Sequence, residues 1–289
     1  MKVAIVTDSN SGITQKEAKQ LGITVIPMPF LIDGEEFFED INLTQEEFYQ
    51  KLTQDADVST SQPNIFMVVE KWTKLLETYD EIVHIPMSSS LSATTETAIN
   101  YAKDFGGKVQ VVDNKRISVT QKQSVFDAIK MTSEGKSAKD IKKHLEETSS
   151  RSSIYIMVTT LKYLKKGGRV TPSAAAFGSL LKIKPVLTIQ GGKLDKYCQV
   201  ISLAQGKKKM LDQLANDIKT RFAKEAESGH LQISLAHTNC ADKIESFKQE
   251  AEAIFKPMGI EVSFVDALSL SVACHIGDGS IAITCSYKY

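Results

Sequence analysis

The sequence predicts an α/β protein of two domains, the first with a mainly parallel sheet flanked by helices, the second with a mixed sheet. Three observations predict it. Short apolar runs of strand length alternate with stretches of helical periodicity. A polar, small-residue stretch, Thr148-Ser149-Ser150-Arg151-Ser152-Ser153, breaks the pattern near the middle, as a domain boundary does. The length, 289 residues, suits two domains or one large one. The expected domains are 1–150 and 151–289.

The elements follow in order. Val3 to Val6 is a short apolar run ending in the polar loop Thr7-Asp8-Ser9-Asn10-Ser11-Gly12. Thr14 is placed to cap a helix reaching about Leu21, and Ile23 to Ile26 is a strand halted by Pro27 and Pro29. Asp33-Gly34 between Phe30–Ile32 and Glu35–Phe38 is a hairpin signal. Thr44 and Glu47 form a capping box. After Val58-Ser59-Thr60-Ser61-Gln62-Pro63, apolar residues from Ile65 to Tyr79 keep helical spacing. Pro63 suits a first helical turn, which makes Ser61 the expected N-cap with Thr60 just outside. Ile82 to Ile85 reads as a buried strand, and Glu96 to Ala102 as a helix.

Lys108 to Val112 is a further strand, and helical patterns cover Thr120 to Thr132 and Ser137 to about Leu145. In the second half Ile154 to Val158 is a strand. Ile183 to Ile189 is a strand containing Pro185, expected at an edge or irregular. Ala204 to about Ala226 reads as one long amphipathic helix. Strands at Leu231 to Ala236, Ile260 to Val265 and Ile281 to Cys285, with a helix from Ala241 to Phe255, complete the alternation.

Composition narrows the function. Lys plus Arg and Asp plus Glu are 35 each, which argues against a general affinity for nucleic acid or an anionic membrane. At most transient membrane contact is expected, since no apolar run approaches a membrane span. The start Met1-Lys2-Val3-Ala4-Ile5-Val6 reads directly as a strand, without an h-region or cleavage site. Cys198, Cys240, Cys274 and Cys285 have no metal-type spacing and read as reduced thiols of a cytoplasmic protein.

The informative stretch is His84-Ile85-Pro86-Met87-Ser88-Ser89-Ser90-Leu91-Ser92-Ala93-Thr94-Thr95. Strand, hydroxyl loop and helix is an arrangement by which an open α/β sheet holds an anionic group, because the helix start offers unpaired N–H groups. An ordinary cap and turn would use the same residues, so this stretch alone leaves both readings open.

Together these landmarks resemble the DegV family of bacterial fatty-acid-binding proteins. The matching pieces are Thr7 to Ser11, Ser59 to Pro63, Ser88 to Thr94, Leu161-Lys162-Tyr163-Leu164-Lys165-Lys166-Gly167-Gly168-Arg169, Gly178 to Pro185 and His275-Ile276-Gly277-Asp278-Gly279. They occur in the family's order across nearly the whole chain. Departures are Ala93 where the family usually has Gly, Asp113-Asn114 where it has Asp-Ser, and the residues after His275. The basic stretch that often follows the turn at Gly191-Gly192 is here displaced to Lys207, Lys208 and Lys209.

The resemblance implies a fatty acid held between two α/β domains with its carboxylate at the domain junction. It implies no cofactor, no metal and no turnover by the chain alone. Its implied partner is a separate ATP-binding fatty acid kinase subunit, which phosphorylates the carboxylate to an acyl-phosphate for phospholipid synthesis. Thr60, Ser61, Ser92 and His275 are then the expected carboxylate contacts, and Arg169, expected to be exposed, faces the partner or a phosphate. His84, inside an apolar strand, is expected to be a satisfied core residue. The physics is compatible: a C16 to C18 tail of ~15 methylenes is worth ~12 kcal/mol on full burial. Hydroxyl donors can offset the several kcal/mol that desolvating a carboxylate costs.

Two other classes remain. A hydrolase or acyltransferase would use Ser92 as nucleophile and His275 as base, although no Gly-x-Ser-x-Gly elbow is present. A lipid-sensing regulator would bind the ligand without a kinase partner. Dinucleotide binding is disfavoured, because no Gly-x-Gly-x-x-Gly follows a strand.

Overall fold

The structure is a computed structural model and describes residues 2–54, 56–176 and 183–289. The chain divides into two compact units, Met1–Ser150 with Tyr289, and Arg151–Lys288. In the first unit the strands are β1 (Val3–Asp8), β2 (Thr24–Ile26), β3 (Pro29–Ile32), β4 (Glu35–Phe38), β5 (Val58–Thr60), β6 (Glu81–Ile85) and β7 (Val109–Val111). Its helices are α1 (Gln15–Leu21), α2 (Gln45–Thr53), α3 (Ile65–Leu75), α4 (Thr94–Ala102), α5 (Val119–Ser133) and α6 (Ala138–Glu147).

The main sheet runs β2-β1-β6-β7 and is parallel throughout. Alternation along β1 builds a core on each face. Val3 and Ile5 pack with Val125, Met131, Ile141 and Leu145 of α5 and α6. Ala4 and Val6 pack with Val68, Trp72 and Ala98 of α3 and α4. A smaller antiparallel sheet, β4-β3-β5, carries the hairpin at Asp33-Gly34, where both residues have positive φ. Such a turn suits the twist of the flanking strands. Thr14 and Thr44 each close the expected capping interaction, with Glu17 and Glu47.

In the second unit the strands are β8 (Ser152–Met157), β9 (Lys184–Ile189), β10 (Asp195–Val200), β11 (Leu231–His237), β12 (Val262–Ala267) and β13 (Ile281–Tyr287). The helices are α7 (Lys162–Gly167), α8 (Pro172–Ala175), α9 (Leu203–Thr220), α10 (Ala223–Glu227), α11 (Ala241–Phe255) and α12 (Leu270–Ile276). The sheet order is β10-β9-β8-β13-β11-β12; only the β11–β12 pair is parallel. Met210 and Leu214 of α9 and Phe247 and Phe255 of α11 cover it, meeting Ile233, Leu235 and Ile283.

The fold departs from expectation at two places. β9 is an interior strand, not an edge, since it pairs with both β10 and β8, while the expected irregularity is present as a register shift in its pairing with β10, between Lys196 and Cys198. Pro185 is tolerated because it sits near the strand start, where its carbonyl still accepts from Val158 N. The expected long helix is broken between α9 and α10: Arg221 N and Phe222 N both turn back to Asp217 O. The Phe222 ring, 2% exposed, stays in the same core as Leu214 and Ile218 across the break. Of the matched stretch Gly178 to Pro185, residues 178–182 lie outside the described residues.

Candidate functional site

In the parallel sheet the strand order reverses direction at β1 and β6, with β2 on one side and β7 on the other. The loops leaving the carboxyl ends of β1 and β6 therefore flank a topological switch point, where open α/β sheets bind ligands. Both loops are rich in hydroxyls. Asp8, at the end of β1, ties them together: its carboxylate accepts from Met87 N at 2.8 Å, Asn10 N at 3.0 Å and Gln121 Nε2 at 3.1 Å. Burial pushes the Asp8 carboxyl above the usual range, against the lowering effect of these donors. Asp8 thus orders the loop. Below it Thr7 Oγ1 donates to Ile85 O, and Thr95 Oγ1 donates to Met87 O.

Ser92 lies just before α4. Its Oγ accepts from Thr94 N at 3.2 Å and bonds Thr94 Oγ1 at 2.8 Å. The residue therefore does cap-like work while staying half-buried. Thr60 and Ser61 differ from expectation. The N-cap of α3 is Asn64, whose Oδ1 accepts from Phe66 N at 3.0 Å. Pro63 precedes the helix rather than opening it, Thr60 is the last residue of β5 and pairs with Phe30, and Ser61 is exposed. Sequence spacing cannot choose among Ser, Asn and Thr as a cap, because all three favour the position.

The segment before α3 nonetheless meets the helix that follows the Ser92 loop. Thr97 Oγ1 of α4 donates to Gln62 Oε1 at 2.9 Å. Gln62, Pro63, Thr94 and Thr97 line a crevice bordered also by Asp8, His84 and the apolar side chains of Ile26, Val68 and Ala98. His84 corrects another expectation. It is buried, but neither ring nitrogen has a partner among the described residues. Its ring meets Trp72 edge-on, with centroids 5.5 Å apart. Burial pushes the imidazole down to about 3, so it is neutral at physiological pH.

The second unit holds the other candidates. His275 lies in the last turn of α12. Arg169 follows the left-handed cap Gly168 of α7, and it is half-buried rather than exposed. A guanidinium nitrogen, Nη1, donates to Gly167 O. The His275 imidazole is pushed down to about 4, by burial first and by the charge of Arg169 second. The structure thus brings His275 and Arg169 together, and separately brings the Gln62 segment to α4, the helix that follows the Ser92 loop.

Sequence reading missed three supporting residues. Gln121 reaches Thr7 Oγ1, Asp8 and Ile85 O at once. The buried Arg116 accepts Ser88 N on its carbonyl at 2.9 Å, and Asp113 accepts Ser89 Oγ at 2.7 Å. The only available signal was polar residues inside or beside helical periodicity, which identifies no partner. No group of His, Cys, Asp and Glu that could hold a metal ion occurs among the described residues. No helix among them is long and apolar enough to cross a membrane.

Fold and site define a two-unit α/β protein with hydroxyl-rich loops at the switch point of a parallel sheet. The family model described as "Uncharacterised protein, DegV family" matches residues 2–288. The chain belongs to the DegV family. A DegV domain-containing protein of Halalkalibacterium halodurans, BH3627, is 30% identical over 287 residues, covering 98% of each chain. A fatty-acid-binding DegV family protein from Thermus thermophilus superposes with a TM-score of 0.85 at 26% identity, covering 99% of this chain and 100% of that one. DegV of Bacillus subtilis, a fatty acid binding protein, gives 0.84 at 26% identity, covering 100% of both chains.

Proposed function

We propose that this chain binds a long-chain fatty acid non-covalently in the cytoplasm and presents its carboxylate to a separate ATP-binding kinase subunit. That subunit forms the acyl-phosphate used in phospholipid synthesis. The observation that carries the reading is the convergence of the Gln62 segment and the first turn of α4, which follows the Ser92 loop, on one crevice at the sheet's switch point. Fatty acid binding by the relatives from Thermus thermophilus and Bacillus subtilis supports the choice of ligand. Thr60, Ser61 and Ser92 are the proposed carboxylate donors. Neutral hydroxyls can replace water around the carboxylate, while a tight Arg pair would hold too firmly the oxygen that must attack ATP. His275 is a further proposed contact. Arg169 faces the kinase or the phosphoryl group, and no catalytic residue or cofactor is assigned to the chain itself.

Native mass spectrometry of the protein purified from bacteria tests this directly. The expected result is added mass equal to one long-chain fatty acid, released on denaturation. A hydrogen bond to a charged acceptor is worth ~1.5–3 kcal/mol, so Ser92→Ala should weaken binding roughly ten- to a hundredfold at ~1.4 kcal/mol per decade. Protein that carries no fatty acid and takes none up when oleate is added would end the reading.

A further inference from the structure

Two glycines at the candidate histidine are glycines for different reasons. Gly168 has a φ of 67°, and a Cβ added there would meet nothing within 4 Å. Its need is conformational, at the left-handed cap of α7. Gly167 has no positive φ, but a Cβ added there would enter the His275 ring, nearest Nδ1 and Cε1. Its need is room. The imidazole lies against the bare Cα of the last residue of α7.

The contact is reciprocated. A Cβ on Gly277, immediately after α12, would come within 2.8 Å of Cδ2 and 3.0 Å of Cε2 of the Tyr163 ring on α7. Each of the two packed helices thus offers a glycine socket to an aromatic ring of the other. Beyond them Thr159 Oγ1 donates to Asp278 O at 2.7 Å, and a Cβ on Gly279 would come within 3.2 Å of Thr159 Cγ2. The carbonyl of Gly167 is meanwhile the acceptor for the Arg169 guanidinium. One residue therefore touches both candidate groups, through its Cα on one side and its oxygen on the other.

We propose that Gly167 is a positioning residue, its bare Cα seating His275 and its carbonyl holding Arg169, so that α7 and α12 present the two side chains as one unit. The proposal rests on the reading in which His275 and Arg169 serve the bound carboxylate and its phosphorylated form. It extends that reading to a residue that contacts no ligand. A single methyl group at position 167 should push the imidazole off α7, away from Arg169 and into water.

The test is a double-mutant cycle with Gly167→Ala, His275→Ala and the pair, with Gly192→Ala as a control glycine that has open space around its Cα. Overpacking should lower the melting temperature of Gly167→Ala by roughly 2–10 °C. In the His275→Ala background the same change should cost nothing, because the socket is empty. Titration of His275 by NMR supplies a readout that a merely structural role would not move. In Gly167→Ala its pKa should rise from its depressed value toward the ordinary 6.5 as the ring leaves the buried seat beside Arg169. Equal destabilisation in both backgrounds, or an unchanged His275 titration, would overturn the proposal. If Gly167→Ala does not fold, folding of the double variant supports it and failure of both overturns it. Oleate content, measured on the same preparations by native mass spectrometry, reports on the carrier reading separately. Wild-type protein without oleate would sink that reading, while the coupling measured between Gly167 and His275 would stand.

Discussion

His84 costs the fold stability. Its two ring nitrogens are buried without partners among the described residues, and each such group costs about 1–3 kcal/mol. His84→Phe keeps the edge contact with Trp72 and removes both. After some loss to overpacking, we expect a net gain of about 1 kcal/mol, read as a higher urea midpoint at pH 7. The sign of the pH effect is fixed by the direction of the shift. The folded imidazole titrates at about 3 and the unfolded one at the ordinary 6.5. Above 6.5 neither state holds the proton. Below it the unfolded state binds a proton that the folded state refuses. Stability therefore falls by up to about 1.4 kcal/mol per pH unit from pH 6.5 toward 3. His275, also depressed, adds to the loss over the upper part of that window. His84→Phe should flatten the slope between pH 6 and 4 without abolishing it. An unchanged slope would mean that His84 finds a partner in solution.

At the scale of the element, the start of α3 decides how the Thr60-Ser61-Gln62 segment is presented. Asn64 supplies the cap, so Asn64→Ala should lose about 1 kcal/mol, within the usual 0.5–2 for such caps. Ser61 is exposed and caps nothing, and Ser61→Ala should stay within about 0.5 kcal/mol. Chemical denaturation of both variants in ligand-free protein checks the ranking, and the reverse order would return the cap to Ser61. Elements whose cause is local were legible in the sequence. The Asp33-Gly34 hairpin, the Thr14 and Thr44 caps and helix α11 each depend on a few neighbouring residues. The interior place of β9 was not, because it depends on which segments pair with it, and neither was the break at Phe222, because the apolar spacing runs through it without interruption. The turn before α5 belongs with them. Lys115 and Ser118 both hold positive φ there, and Ser118 N donates to Asn10 O, so strain unusual for non-glycine residues is held by a loop more than a hundred positions away.

At the scale of the whole molecule, the proposed function separates binding from transfer. Burial of the tail outweighs any one hydroxyl, so His275→Ala and Arg169→Ala should retain fatty acid. Both should lose most acyl-phosphate formation when a cognate kinase and ATP are added. Fatty acid content by mass spectrometry beside acyl-phosphate yield on the same preparations checks this. Wild-type yields from both variants would return the two residues to ordinary structural positions. By itself the sequence determined the α/β class, through strand and helix periods that are properties of local runs. It also determined the DegV resemblance, through ordered motifs that need no coordinates. Only the tertiary structure decided that Asp8 and Gln121 knit the hydroxyl loops, that Gln62 reaches Thr97, and that His84 is buried without a partner among the described residues. It alone seated His275 against Gly167 beside Arg169. The physical reason is common to these. Hydrogen-bond partners, desolvation and the room left by a missing Cβ are set by segments far apart in the chain, and no local period records them.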